Sequence, residues 1–353
     1  MPNIEVRGLS KSFGKTKAVR EASFRVEDGE YVVVLGPSGC GKTTLLKTIA
    51  GLYAPDEGSV LIDGADVTSV PVEKRGIGFF FQQYSLFPHL SVRGNIGYSL
   101  EIRGMDGGQV RRIVDDKLKL VGLADWADHM PHQLSGGMQQ RVGLARALAT
   151  GSKILLLDEP LNALDAKIAS ILRRELKAMA SRLGLTVIHV SPNQAEAMEV
   201  ADRLILINKG RIIQEGIPAD VYLNPKNPFS AYFLGESNFI KVGRVSPNVV
   251  KYRHALFNVA GVIPEDEMIL AIRPEKIRFE HHDRNCLEGI IESVNFLGHT
   301  TRYEVTRKGR FFQVQTSKHP HLKKGDRIHL MFPAEDVMMF MTNQPIDDEI
   351  TVN

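Results

Sequence analysis

The run Gly36-Pro37-Ser38-Gly39-Cys40-Gly41-Lys42-Thr43-Thr44 lies between the apolar segment YVVVL (31–35) and the helical pattern KTTLLKTIAGL. It fits GxxxxGK[ST], a pattern that has meaning only when strand, loop and helix follow in that order. Glycines let backbone N–H groups converge without a Cβ in the way, and the helix that follows adds the positive end of its dipole. The loop is therefore expected to hold phosphate groups. Lys42 would supply a mobile charge for the terminal phosphates and Thr43 a hydroxyl for Mg²⁺. Cys40 reads as a small loop residue, not as a reactive thiol.

A second constellation is Ile154-Leu155-Leu156-Leu157-Asp158-Glu159-Pro160. Four apolar residues place this strand inside a sheet, with two carboxylates at its C-terminal end, where open α/β sheets bind ligands. One acid can hold Mg²⁺ and the other can orient or deprotonate an attacking water. Alone, a strand ending in Asp-Glu carries little; beside the glycine loop it makes nucleotide hydrolysis the leading reaction.

Apolar strands alternate with amphipathic helices to about residue 235, which predicts a parallel sheet with helical cover. Segments 3–7 and 18–27 read instead as half-buried strands of an antiparallel piece. Phe79, Phe80 and Phe81 continue a strand and are expected to pack internally. After Leu234 short strands recur, such as MILAIRP, GIIESVNF, TRYEVTR, FFQVQT and DRIHLMF, with turn residues between them. These predict a small all-β barrel or sandwich. The expected division is 1–235 and 236–353, across the polar, proline-bearing stretch NPKNPFSAYFLGESN.

Composition bounds the rest. A chain of 353 residues with 43% hydrophobic and 24% charged residues is neither disordered nor fibrous, and has room for two domains or three. A net charge of +3 is no electrostatic argument for nucleic acid. Cys40 and Cys286 are too few for a disulfide framework, so a reducing compartment is expected. The opening MPNIEVRGLSKSFG has no apolar core for a signal peptide, and no run approaches the ~18–20 apolar residues of a membrane span. The expectation is a soluble protein.

Residues 132–141, HQLSGGMQQR, resemble the signature motif of the ATP-binding subunits of ABC transporters. The order of motifs is similar as well: glycine loop, a glutamine after Phe81 (Gln82), signature, Asp-Glu strand. From the residues alone, Ser135 can cap a helix opened by Gly136 and Gly137, leaving bare N–H groups for an anion; an ordinary helix start reads the same way. The resemblance implies a P-loop α/β domain (1–235) with a helical subdomain near 85–150, followed by a TOBE-like, OB-like barrel domain (236–353). It implies that two copies, or a copy and a paired ABC subunit, sandwich ATP and Mg²⁺. Each site would then join Lys42, Thr43 and Glu159 of one copy to Ser135 and Gly137 of the other.

By the same resemblance Gln82 links Mg²⁺ and water to the membrane partner, Asp165 meets the opposite copy and Phe13 stacks on adenine. Phe13 also reads as an apolar strand end. Tyr84, Leu86, Phe87 and Pro88 would anchor the membrane subunit. The implied partners are membrane permease subunits and an extracytoplasmic solute-binding protein, with no nucleic acid. The implied place is peripheral, on the cytoplasmic face of the cell membrane. The cargo classes are polyamine, ferric iron, oxyanion or sugar, with a lean to the first two from FLGHTTRYEV.

Three positions depart from the family's pattern. Pro192 stands where a histidine would meet the γ-phosphate, Met138 replaces the signature glutamine, and Asn162 replaces a serine before Asp165. Proline has no side-chain donor and no N–H, and His189 lies on the opposite strand face from residue 192. The intact Glu159, Lys42, Thr43, Gln82 and Asp158 favour a working ATPase over a catalytically weak or regulatory subunit. A soluble, non-transport ABC ATPase is the other alternative; the single nucleotide domain and the C-terminal strands speak against it. Seven of the eleven histidines follow residue 236, including His281, His282, His319 and His321, but their spacing with Cys286 matches no standard zinc pattern.

Overall fold

The structure is a computed structural model and describes residues 2–81, 86–161, 166–318 and 320–342. The chain forms two compact units, Met1–Val221 and Tyr222–Asn353.

The first unit opens with β1 (Ile4–Phe13), β2 (Thr16–Val26) and β3 (Tyr31–Leu35), then α1 (Lys42–Ala50), β4 (Glu57–Ile62), β5 (Ala65–Asp66) and β6 (Ile77–Phe80). Three helices follow, α2 (Val92–Ile102), α3 (Gly107–Leu120) and α4 (Gly136–Ala149). The unit continues through β7 (Ile154–Asp158), α5 (Ala166–Leu183), β8 (Thr186–Ser191), α6 (Gln194–Val200), β9 (Arg203–Asn208) and β10 (Arg211–Gly216). Strands β1, β2, β4 and β5 make an antiparallel sheet in the order β2-β1-β4-β5. The main sheet runs β10-β9-β3-β8-β7-β6 and is parallel except for the β9–β10 hairpin.

Every residue of β3, β7 and β8 is buried, as strands covered on both faces require. Val32 and Val34 join one apolar cluster with Leu45, Leu46 and Ile49 of α1 and Ile4, Val6 and Leu9 of β1. Helix α1 is thus clamped between the two sheets, which holds the loop before it in place. Helices α2, α3 and α4 share a second cluster through Ile96, Leu100, Val110, Val114, Val142 and Ala145. Strand β6 ends at Phe80, which is buried. Phe81 lies one residue beyond and is 36% exposed, its ring 4.5 Å from that of Phe79. The expectation of internal packing therefore holds for Phe79 and Phe80 but not for Phe81, whose backbone has left the sheet.

The short helices α7 (Pro218–Leu223) and α8 (Pro228–Phe233) precede β11 (Asn238–Ser246), β12 (Val249–Tyr252), β13 (Ala255–Asn258) and β14 (Glu267–Ile272). Then come β15 (Cys286–Phe296), β16 (Thr301–Arg307), β17 (Arg310–Thr316), β18 (Arg327–Met331) and β19 (Met338–Met341). They form two antiparallel sheets, β13-β12-β11-β14-β19 and β17-β16-β15-β18. Both contribute to one core, where Phe257, Phe312 and Phe332 meet Leu270, Ile272 and Tyr303. Among the described residues no α-helix follows Phe233.

Candidate nucleotide site

The glycine loop is wedged between neighbouring strands, and two of its glycines are forced. A Cβ on Gly36 would stand 2.2 Å from the Ile207 carbonyl oxygen. Gly41 has φ +107°, and a Cβ there would stand 2.0 Å from the Ala18 carbonyl oxygen. The loop is tied from outside by Gly210 N–H donating to Cys40 O at 2.9 Å. Cys40 itself is buried, and burial pushes its thiol above the usual range against the pull of Lys42, which suits a packing role.

Lys42 is only 3% exposed and donates from Nζ to the carbonyls of Gly36 and Pro37, each at 2.8 Å. The same Nζ lies 3.9 Å from Glu159 Oε1. The ammonium is thus held inside the loop, facing the acids at the end of β7. Thr43 donates from Oγ1 to Asp158 Oδ1 at 2.8 Å. Burial raises the Asp158 pKa; the Thr43 bond and the charges of Lys47, Lys42 and His189 pull it back. Glu159 adopts φ +46°, rare for a residue with a side chain, and its N–H donates to Val190 O at 3.0 Å. That turn bends the chain out of the strand and back toward Lys42.

The structure thus brings Lys42, Thr43, Asp158 and Glu159 together. Gln82, Tyr84, Asn162 and Asp165 lie outside the described residues. Ser135 is the N-cap of α4, accepting Met138 N–H at 3.4 Å, and Ser135 and Gly136 are exposed with Gly137 half-buried. Phe13 is 47% exposed at the end of β1, in edge contact with Tyr53 at 5.2 Å. Leu86 packs against the core of the three helices. The Phe87 ring lies 4.3 Å from that of Tyr98 and 5.3 Å from the Arg146 guanidinium, while Pro88 is exposed. Buried Asn95 fixes that loop, bonding Phe87 through both its N–H and its carbonyl.

Beyond β8, Pro192 is half-buried and offers no hydrogen-bond donor, and His189 points away into the protein, 3.1 Å from the Tyr31 hydroxyl. His189 therefore does not stand in for a histidine at 192. Sequence reasoning missed two things. Gln140 of α4 donates to Pro160 O, joining the signature helix to the residue after Glu159; its only trace was polarity on a helix face that is buried. The packing of Ala18 and Ile207 against the glycines had no sequence signal. No group of three or more His, Cys, Asp or Glu suited to a metal ion exists among the described residues. His281 and His329 make only an edge contact, at 4.4 Å.

Strand, glycine loop and helix at the C-terminal edge of a parallel sheet, with a buried Asp-Glu strand end beside them, define a P-loop NTPase. Residues 19–162 match the family model described as ABC transporter, and residues 270–340 the one described as TOBE domain. The chain is 36% identical to the spermidine/putrescine import ATP-binding protein PotA of Thermotoga maritima, over 94% of this chain and 96% of that protein. It is 42% identical to the sulfate/thiosulfate import ATP-binding protein CysA 2 of Chromobacterium violaceum, over 87% and 85%. Among solved structures it resembles a dimeric ATP-binding cassette in a post-hydrolysis state bound to ADP and Pi. There the TM-score is 0.56 and the identity 33%, over 61% of this chain and 98% of that one. The chain belongs to the ATP-binding subunits of ABC transporters, in the form that carries a C-terminal TOBE domain.

Proposed function

We propose that the chain is the ATP-hydrolysing, energy-coupling subunit of an ABC importer. In this reading residues 1–235 are the catalytic part, with a helical subdomain near 85–150, and residues 236–353 the regulatory part. The supporting observation is the joint placement of Lys42, Thr43, Asp158 and Glu159. Phosphoryl transfer depends on positioning and charge far more than on covalent help from the protein. Lys42 would exchange the loop carbonyls for phosphate oxygens. Glu159 would orient the attacking water and take its proton.

Asp158, a buried carboxylate beside a hydroxyl, offers the hard oxygen donors that Mg²⁺ prefers. Thr43 and Asp158 would hold the ion, with Gln82 completing the set. Mg²⁺, when bound, would supply positive charge that offsets the negative charge of the phosphate groups. Phe13, exposed beside Tyr53, would take the adenine.

The relatives named as import subunits support permease partners and a peripheral place on the cytoplasmic face of the membrane. No helix among the described residues is long and apolar enough to cross a membrane. The relatives carry different cargo in their names, spermidine/putrescine and sulfate/thiosulfate, at similar identity. The choice among polyamine, ferric iron, oxyanion and sugar is therefore assigned to the membrane and solute-binding subunits.

Pro192 favours the second reading, a regulatory subunit without turnover. Steady-state phosphate release by the wild type and Glu159→Gln separates the two. Hydrolysis by Glu159 gives a working wild type and a fall of about a hundredfold or more in the variant, as for loss of a general base. Equal rates in the two overturn it.

A further inference from the structure

Beneath the C-terminal end of β8 lies a chain of polar side chains that the nucleotide site does not use. Tyr31, His189, Ser191 and Glu196 are each 2% exposed or less. The Tyr31 hydroxyl is 3.1 Å from His189 Nδ1, and His189 Nε2 is 3.4 Å from Glu196 Oε1. The Ser191 hydroxyl donates to Glu196 Oε2. Ser191 Oγ in turn accepts Asn193 N–H at 3.0 Å, and Asn193 Oδ1 accepts Glu196 N–H at 3.1 Å. Among the described residues neither His189 Nε2 nor Glu196 Oε1 makes a hydrogen bond, and the two approach each other at 3.4 Å. The imidazole is thus set between the Tyr31 hydroxyl and the Glu196 carboxylate.

Groups this deep cost free energy unless paired, and apolar side chains of the same volume fill such space more cheaply. The network closes the segment from Val190 to Asn193, and Val190 O is the acceptor that holds Glu159 N–H at 3.0 Å. Glu159 needs such a hold because its backbone sits at φ +46°. Pro192, inside the closed segment, contributes no hydrogen bond from its side chain or nitrogen.

We propose that Glu196, acting through Ser191 and His189, is a positioning residue for Glu159. It orders the end of β8 from the core side, where Pro192 provides no donor on the nucleotide side. The proposal rests on the hydrolysis reading above and deepens it.

The test is steady-state kinetics on the full chain, with thermal melts to confirm the fold. Glu196→Gln keeps the volume but replaces with an NH2 one of the two carboxylate oxygens that face the Ser191 hydroxyl and the His189 ring. It is expected to lower kcat about ten- to hundredfold, the scale of a small misplacement of a reacting group, with the KM for ATP unchanged. Ser191→Ala is expected to match it, and Ser191→Thr, which keeps the hydroxyl, to restore turnover. Wild-type kcat in both Glu196→Gln and Ser191→Ala overturns the proposal and leaves hydrolysis by Glu159 standing. A loss equally present in Ser191→Thr, or seen only in KM, also overturns it by showing a packing role alone. A wild type without turnover, or full turnover in Glu159→Gln, overturns the hydrolysis reading and this role with it.

Discussion

His189 and Asp158 lie one position out of register on neighbouring strands, and burial drives each toward its neutral form. For His189, burial lowers the pKa below the ordinary 6.5, while Glu196 and Asp158 pull it back up. As pH falls, the unfolded chain therefore takes up this proton before the folded one does. The stability tied to neutral His189 is whole above about pH 6.5 and is lost as pH drops from there through the folded pKa. One proton sets a ceiling of about 1.4 kcal/mol per pH unit on that loss. His189→Gln cannot titrate, so its stability in denaturant titrations is expected to fall less between about pH 7 and about pH 5. Equal slopes for the two proteins would show that the imidazole gains its proton alike in both states. At this scale Lys42, Thr43, Asp158 and Glu159 were legible because their chemistry is tied to close spacing along the chain. Tyr31, His189 and Glu196 were not, because their meeting depends on which face of β3 and β8 turns toward α6.

Helix α1 shows what patterning does carry. Leu45, Leu46 and Ile49 are fully buried, and Thr44 and Lys47 fall on the more open side. Since the helix starts at Lys42, its packing also sets the direction of the N–H groups that face the glycine loop. Leu46→Ala leaves a cavity between two sheets that cannot collapse onto it. A loss of about 2–5 kcal/mol is expected in urea unfolding, from transfer and cavity terms together. A loss under about 1 kcal/mol would mean that the sheets close on the gap. The parallel strands were legible from their apolar runs, since burial on both faces favours apolar side chains. The antiparallel pair was only partly so. Its strands run Ile4–Phe13 and Thr16–Val26, where the pattern suggested 3–7 and 18–27. Register shifts around Leu9 and Lys11 break the alternation there, and pairing across a hairpin needs no apolar pattern to persist.

At the scale of the whole molecule, the parts of the proposed reaction sit in two places. The loop lysine and the acids cluster at the end of β3 and β7, while Ser135 and Gly136 are exposed at the start of α4 with the helix dipole behind them. In the pair of copies that the family resemblance implies, each working site would take Lys42 from one copy and Ser135 from the other. This division can be tested with two defective chains. Lys42→Ala removes the phosphate charge and keeps the signature; Ser135→Arg blocks the signature and keeps the loop. Each alone is expected to be inactive, because both of its sites are broken. In an equimolar mixture half of the pairs are mixed, and each mixed pair contains one whole site and one doubly broken one. Phosphate release is then expected to recover to at most about a quarter of the wild-type rate, since a two-fold pair has two equivalent sites. Recovery requires the whole site to draw on both chains, because neither chain carries an intact set. If the mixture stays as inactive as its components while mixed pairs form by pull-down of one tagged chain, the two sites act only together. If Ser135→Arg alone keeps the wild-type rate, the exposed helix start takes no part in hydrolysis, and the site is complete within one copy.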